Sequence, residues 1–328
     1  MSGALARLRW AGLMLAWILP FTAAHAQNTL EHPDEPTFVV PGISPQQDLR
    51  ILVYGDMRFT DPVNTKDTNP RARKWLAEKV GTEHADAMVI TGDIPFHGSD
   101  PRDWAVFERE AGSWARGPRV YPTVGNHELR IDPQLGQVNW AATFPQLKGN
   151  SFYSVLLGNV FIITLNSTEP VWPTGRQADW LRGQLDHIPV QADFVIFSMH
   201  IPLIADTQSE FIANIPAPES VELRRYLEAR AVSARQKFIA VYGHIHNYER
   251  FEFNGITHII SGGGGAEPYP IFVRGPQDQY RDPAFPVFNY VILTIHGKQA
   301  EGTMYKIADP EAKQYTVVAK DHFVVTAK

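Results

Sequence analysis

Apolar residues in this chain fall into short continuous runs, and the stretches between the runs carry amphipathic spacing. "RILVYG" (50–55), "DAMVITG" (86–92), "RVYPTVG" (119–125), "DFVIFSMH" (193–200) and "KFIAVYGH" (237–244) read as strands buried on both faces. Between them "PRARKWLAEKV" (70–80), "DWAVFEREAGSW" (103–114), "RQADWLRGQLDHI" (176–188) and "ESVELRRYLEAR" (219–230) read as helices. Pro70 sits near the start of the first helix, and Asp103 is the expected N-cap of the second. "FYSVLLGNVFIITLN" (152–166) holds two apolar runs around Gly-Asn and predicts a hairpin, while the stretch before it reads as irregular. From about residue 251 only strands follow: "RFEFNG", "ITHIISG", "NYVILTIHG", "EGTMYKIA" and "DHFVVTA". They are expected to build or complete a second sheet. Strands interleaved with helices predict an α/β fold, with residues 49–328 as one domain behind a polar, Pro-rich lead-in at 27–48.

Composition changes this picture little. Of 328 residues 44% are hydrophobic and 20% charged, enough apolar material for a sizeable core. The first 26 residues stand apart: Arg7 and Arg9 precede an apolar stretch broken by Pro20, and Ala24-His25-Ala26 offers small residues for cleavage. That pattern predicts a secretory signal and export to the periplasm or beyond, with the mature chain starting near Gln27. Without Arg7 and Arg9, 28 basic residues oppose 35 acidic ones, a net charge of −7. No basic run marks a nucleic-acid footprint, and no later segment is apolar enough to cross a bilayer. There is no cysteine, so a metal site must use nitrogen and oxygen donors.

The ends of the strands share one chemistry. They carry Asp56, Asp93, Asn126 with His127, His200, and the pair His244 and His246. In α/β sheets ligands gather at the carboxyl ends of strands, so residues almost 200 positions apart can face one crevice. Any one of them is commonplace; the ordered set is not.

The ordered set "GD" (55–56), "GD" (92–93), "GNHE" (125–128), "MH" (199–200) and "GHIH" (243–246) resembles the calcineurin-like metallophosphoesterases, and "GHIHNYER" looks most like their purple acid phosphatase branch. The resemblance implies an αββα sandwich of two mixed sheets flanked by helices, with a metal site at the strand ends. It implies that Asp93 bridges two metals, that Asn126, His200 and His244 complete one, and that Asp56 and His246 serve the other. One or two ions among Mn, Fe, Zn or Mg suit such donors. His127 is implied as a catalytic group beside the leaving oxygen, touching the substrate phosphate, while Glu128 and Tyr248 resemble supporting groups. The expected reaction is attack of a metal-bound hydroxide on a small-molecule phosphate monoester. Phosphodiesters are the alternative substrate, and a weakly active protein that binds phosphorylated ligands is the non-enzymatic one.

Two positions depart from the family. Many members have His where this chain has Arg58, and purple acid phosphatases have Tyr where it has Phe96. Guanidinium has no lone pair for a metal. Facing a dication about 5 Å away, it would be repelled by about 6–7 kcal/mol at an effective dielectric near 20. Arg58 is therefore expected either to reach past the metal to the substrate phosphate, the favoured arrangement, or to replace the charge of a missing ion; facing outward to a surface ion pair is the bland case. His97 is a candidate replacement ligand or substrate contact. "SGGGGA" (261–266) lacks the Lys-Ser/Thr of a P-loop and is expected to turn the chain beside the site. Trp172, Tyr269 and Tyr280 are candidate pocket walls, and Trp180 a core residue.

Overall fold

The computed structural model describes residues 32–206 and 218–328. The expected leader (1–26) lies outside the described residues. Thirteen described strands form two mixed sheets. The seven-stranded sheet contains β1 (Phe38–Val39), β5 (Tyr153–Leu157), β6 (Val160–Thr164), β7 (Phe194–Ser198), β8 (Lys237–Tyr242), β9 (Tyr248–Phe253) and β10 (Ile256–Ser261), in the order β1-β5-β6-β7-β8-β10-β9. The six-stranded sheet contains β2 (Leu49–Tyr54), β3 (Ala87–Ile90), β4 (Val120–Pro122), β11 (Asn289–His296), β12 (Gln299–Ile307) and β13 (Val317–Thr326), in the order β13-β12-β11-β2-β3-β4. The strands after residue 251 therefore do not make a sheet of their own. β9 and β10 extend one sheet beside β8, and β11 to β13 extend the other beside β2. The lead-in contributes β1, which pairs with β5.

Side-chain alternation explains why the sheets are layered. Ile162, Ile196, Ile239 and Val241 of the seven-stranded sheet join the core that contains β2, β3 and β11. Their neighbours Ile163, Phe197, Ala240 and Tyr242 point the opposite way, into a core with Trp180, Leu181 and Leu227. Those last residues belong to two helices, Arg176–Asp186 and Pro218–Ser233, which cover that outer face. The result is the αββα sandwich, its central strands β2, β3, β7 and β8 buried almost throughout and the edge strand β13 largely exposed.

Helix starts follow local rules. α1 (Pro70–Gly81) has Asn69 as N-cap and Pro70 at its first turn, as the sequence predicts. α2 (Pro101–Ala111) is capped by Asp100, not Asp103. Asp103 is instead buried within the helix, accepting from the backbone N–H of Asp61 (2.7 Å) and of His97 (2.8 Å). The stretch expected to be irregular contains α3 (Pro133–Thr143), whose N-cap Asp132 accepts from Gln134 and Leu135. Helices α4 (Arg176–Asp186) and α5 (Pro218–Ser233) complete the described set.

Candidate metal centre

β2, β3 and β4 run parallel in one sheet, and β7 and β8 run parallel in the other. Their carboxyl ends open on one crevice, and the backbone there is forced into unusual shapes. Asp56 (φ 59°), Arg58 (φ 52°), Asp93 (φ 53°) and His244 (φ 69°) all sit in the left-handed region, which costs a non-glycine residue about 1–2 kcal/mol. Interlocking hydrogen bonds hold them. Asp56 N–H donates to Gly92 O, Arg58 N–H to Asp93 O, and Ala266 N–H to Asp56 O. Glu128 accepts from the backbone N–H of Asp93, Ile94 and Gly125 at 2.8–3.0 Å, so its carboxylate shapes the loop that presents Asp93 and Asn126. Two glycines are dictated by close approach. A Cβ on Gly125 would stand 2.4 Å from Asp93 Oδ1, and one on Gly264, in the "SGGGGA" turn, 2.1 Å from Gly55 O.

Four donor atoms converge beside Asp93. His200 Nε2 lies 3.0 Å from Asn126 Oδ1 and 3.3 Å from Asp93 Oδ1, and His244 Nδ1 lies 3.2 Å from Asn126 Oδ1 and 3.3 Å from His200 Nε2. The other ring nitrogen of His200, Nδ1, is 2.8 Å from Thr91 O, an atom that only accepts. Its proton is therefore on Nδ1, and Nε2 offers a lone pair. That lone pair faces an amide oxygen and a carboxylate oxygen. His244 Nδ1 could carry one proton, which cannot satisfy both His200 Nε2 and Asn126 Oδ1. Donor atoms on one ion with bonds near 2.1 Å stand about 3.0–3.4 Å apart, the spacing found here. Asp93, Asn126, His200 and His244 thus fit a cation.

The other side of Asp93 differs. His246 is fully buried; its Nδ1 lies 2.6 Å from Glu267 O, leaving Nε2 a buried lone pair without a hydrogen-bond partner, 3.6 Å from Asp56 Oδ1. Asp56 accepts from His244 N–H at 3.0 and 3.1 Å. Asp56 and His246 therefore suit a metal, yet one of the two Asp93 oxygens, Oδ2, is already taken. Arg58 donates to it from Nη2 (3.1 Å) and Nε (3.3 Å). Only 9% of Arg58 is exposed, so it does not face outward.

Charge is short in this crevice. Burial and the neighbouring Asp93 push the Asp56 carboxyl well above the usual range. Burial opposes ionisation of Asp93 as well, but the surrounding cationic groups hold it well below the usual range. His200 and His127 are themselves driven toward the neutral form by burial, so Arg58 is the cation that keeps Asp93 ionised. Burial, followed by the Arg58 charge, also depresses His246, leaving a neutral imidazole of the kind metals bind.

The remaining candidates separate clearly. His127 is buried, with Nδ1 2.7 Å from Phe96 O, so Nε2 is its available atom, 3.9 Å from Asp93 Oδ2. Burial pushes its pKa down to about 4. Arg130, three residues on in the same turn, reaches within 3.5 Å of Nε2, a neighbour that sequence reading overlooked. His97 turns to Asp103, 4.0 Å away, and packs on Phe96; none of its described contacts is with the metal-competent residues. Tyr269, expected only as a pocket wall, stacks on His246 at 4.0 Å between ring centroids and hydrogen bonds to Arg58. Trp180 is core, and Tyr280 is buried with its ring edge-on to Tyr248. A cavity of about 460 Å³ adjoins the Asn126–His127 loop through Val124 and Leu129.

Comparisons with known proteins bear on the family and the fold. Purple acid phosphatase 21 of Arabidopsis thaliana is 24% identical over 77% of this chain and 59% of its own length. A phosphoenolpyruvate phosphatase of Allium cepa is 28% identical over 70% of this chain and 47% of its own length. The chain thus spans about half the length of the curated relatives it matches. A purple acid phosphatase from yellow lupin (Lupinus luteus) seeds shares the fold with a TM-score of 0.69 at 18% identity, over 88% of this chain and 55% of that one. The family model for calcineurin-like phosphoesterases matches residues 49–248, and with more than half of its length inside that match this chain belongs to the calcineurin-like phosphoesterase family.

Proposed function

We propose that this chain is an exported, metal-dependent phosphoesterase that hydrolyses phosphate monoesters. One ion would be held by Asp93, Asn126, His200 and His244, while Arg58 supplies positive charge on the side of Asp56 and His246. The observation that carries the reading is the meeting of His200 Nε2, Asn126 Oδ1 and Asp93 Oδ1 at 3.0–3.3 Å with too few protons to pair them. When bound, an ion such as Mn, Fe, Zn or Mg would polarise the phosphoryl group and acidify a water.

The chain's own residues supply the rest. Arg58 lies along Asp93 and would turn the N–H groups not engaged by Asp93 or Tyr269 to phosphate oxygens, and a terminal monoester phosphate with two charges gains more from it than a diester does. His127, its ring fixed by the bond from Nδ1–H to Phe96 O, would assist the leaving oxygen only once Nε2 also carries a proton; burial opposes that charged form, and the negative charge of a bound phosphate would favour it. His97 lies beside Phe96 and would touch only the outer part of a substrate. Export rests on the pattern of residues 1–26. Among the described residues no helix is long and apolar enough to cross a membrane.

Hydrolysis of p-nitrophenyl phosphate against bis(p-nitrophenyl) phosphate, with each of the four metals, tests the reading. Metal-dependent turnover that favours the monoester is expected. A strong diester preference would overturn the substrate assignment. One observation supports a second reading, a phospho-ligand-binding protein without turnover: Arg58 occupies the Asp93 oxygen that a second metal would use. No turnover with any metal on either ester would favour it.

A further inference from the structure

A second cluster of carboxylates lies below the loops that present the first. Asp206 follows β7 by eight positions, Glu249 is the second residue of β9, and Asp278 lies in the loop between β10 and β11. Each is at least nine-tenths buried, with exposures of 6%, 0% and 0%, and one oxygen from each lies within 4.8 Å of the other two. Asp278 is satisfied: it accepts from the backbone N–H of Arg250 and Tyr280 and from the Arg274 guanidinium. Asp206 and Glu249 are not. Asp206 Oδ1 accepts from Gly275 N–H and Glu249 Oε2 from Asp206 N–H, but Asp206 Oδ2 and Glu249 Oε1 are buried without any hydrogen-bond partner. Arg274 is the cation facing the cluster, and it is already committed to Asp278 and to the carbonyl of Tyr248. The guanidinium of Arg250 is turned away to Asp321.

Two buried carboxylates with orphan oxygens are costly unless something neutralises them. We propose that Asp206, Glu249 and Asp278 form a structural site for a hard divalent cation, calcium by preference, separate from the candidate catalytic centre. An all-oxygen donor set suits calcium or magnesium over zinc. Calcium bonds oxygen at about 2.3–2.6 Å with six to eight ligands in flexible geometry, which carboxylates on three separate loops can supply in part; magnesium demands a near-ideal octahedron. The placement gives the ion a purpose. Asp206 belongs to the loop that begins at His200, Glu249 stands three residues after His246, and Asp278 shares its loop with Tyr269. One ion would cross-link the three segments that position His200, His246 and the ring stacked on it.

The inference stands apart from any catalytic activity and is tested without it. Full-length protein is stripped with a chelator and desalted, then calcium, magnesium or manganese is titrated while unfolding and heat of binding are recorded. Calcium should bind one-to-one and raise Tm by about 3–5 °C at a hundred times Kd. The response should persist in His200→Ala, which lacks a donor of the first centre, and vanish in Asp206→Asn and in Glu249→Gln. A wild type whose Tm ignores calcium would overturn the proposal on its own, even if the variants fail to fold. So would a calcium response that survives in Asp206→Asn. If calcium has no effect and Glu249→Gln is more stable than wild type at neutral pH, the carboxylates share a proton and there is no cation site.

Discussion

At the scale of single residues, Arg58 decides how many ions this centre holds. It is the cation nearest two fully buried carboxylates, and it pairs with only one of them. Removing one partner of a buried ion pair costs about 3–5 kcal/mol, because the other charge stays behind. Metal-free Arg58→Ala should therefore lose roughly that much stability by denaturant unfolding, and manganese should restore more of it than it adds to wild type. If manganese stabilises both proteins equally, Arg58 does not occupy a metal's place. Arg58→His should raise the bound-metal stoichiometry from one to two; a wild type that already holds two tightly would sink the same idea. The candidate ligands were named from the sequence because each lies two to four residues past the end of a buried strand, and parallel strands deliver the loops that follow them to one edge of the sheet. An inward aim of Arg58 was expected from the sequence; its pairing with Asp93 was not legible. A positive φ at residue 58 and the oxygen left open by Asp93 turn the side chain inward, and neither appears in a local pattern. Tyr269 escaped for the same reason: its stacking on His246 depends on where a long loop returns.

At the scale of elements, the centre depends on how helices are pinned to the strands that carry ligands. Glu83, just beyond α1, accepts from Lys79, from Tyr290 Oη of β11 (2.6 Å) and from Arg50 Nη2 of β2 (2.6 Å). Burial works to raise its pKa, but these three donors outweigh it and hold the carboxyl below its usual value. A depressed carboxylate contributes stability above the unfolded pKa and loses it as pH falls through the folded one. Glu83→Gln should thus cost about 1.5–3 kcal/mol at pH 7, with the gap from wild type closing as the pH drops below about 4. A gap of equal size at both pH values would assign the loss to packing instead of charge. Element existence was mostly readable, since buried strands and amphipathic helices leave opposite periodicities. The exceptions have local causes. The cap of α2 is Asp100 because Pro101 fits the first helical turn, which leaves Asp103 to be buried as an acceptor for two loop amides. α3 (Pro133–Thr143) escaped because its apolar and polar residues are poorly segregated to opposite faces and Gly136 lies within it, although Asp132-Pro133 is a proper start signal.

At the scale of the whole molecule, each sheet supplies part of the centre, so its geometry is only as firm as the joint between the sheets. Asp56, Asp93 and Asn126 come from the six-stranded sheet; His200, His244 and His246 come from the seven-stranded one. Edge strands fasten the two together. On β9, Tyr248 Oη donates to Asp321 Oδ2 at 2.8 Å and Arg250 donates to Asp321 at 2.6 and 3.2 Å. Asp321 lies on β13, the edge of the opposite sheet. β9 begins two residues after His246, so this clamp transmits directly to a candidate ligand. Asp321→Asn removes the charge while keeping the shape, and it should cost about 1–3 kcal/mol in denaturant unfolding, because a largely buried guanidinium then keeps, among the described residues, only Glu252, at 3.5 Å, as a charged partner. The exposed pair Lys74–Glu78 is the comparison: with both side chains more than half exposed, Lys74→Ala should change stability by less than about 0.5 kcal/mol. The two substitutions also differ in what they do to metal binding. Asp321→Asn should weaken retention of the ion during dialysis by loosening β9 against the other sheet, and Lys74→Ala should leave it unchanged. Equal retention in both variants would mean that the crevice is held by the loops alone, and that the joint between the sheets serves stability without tuning the centre.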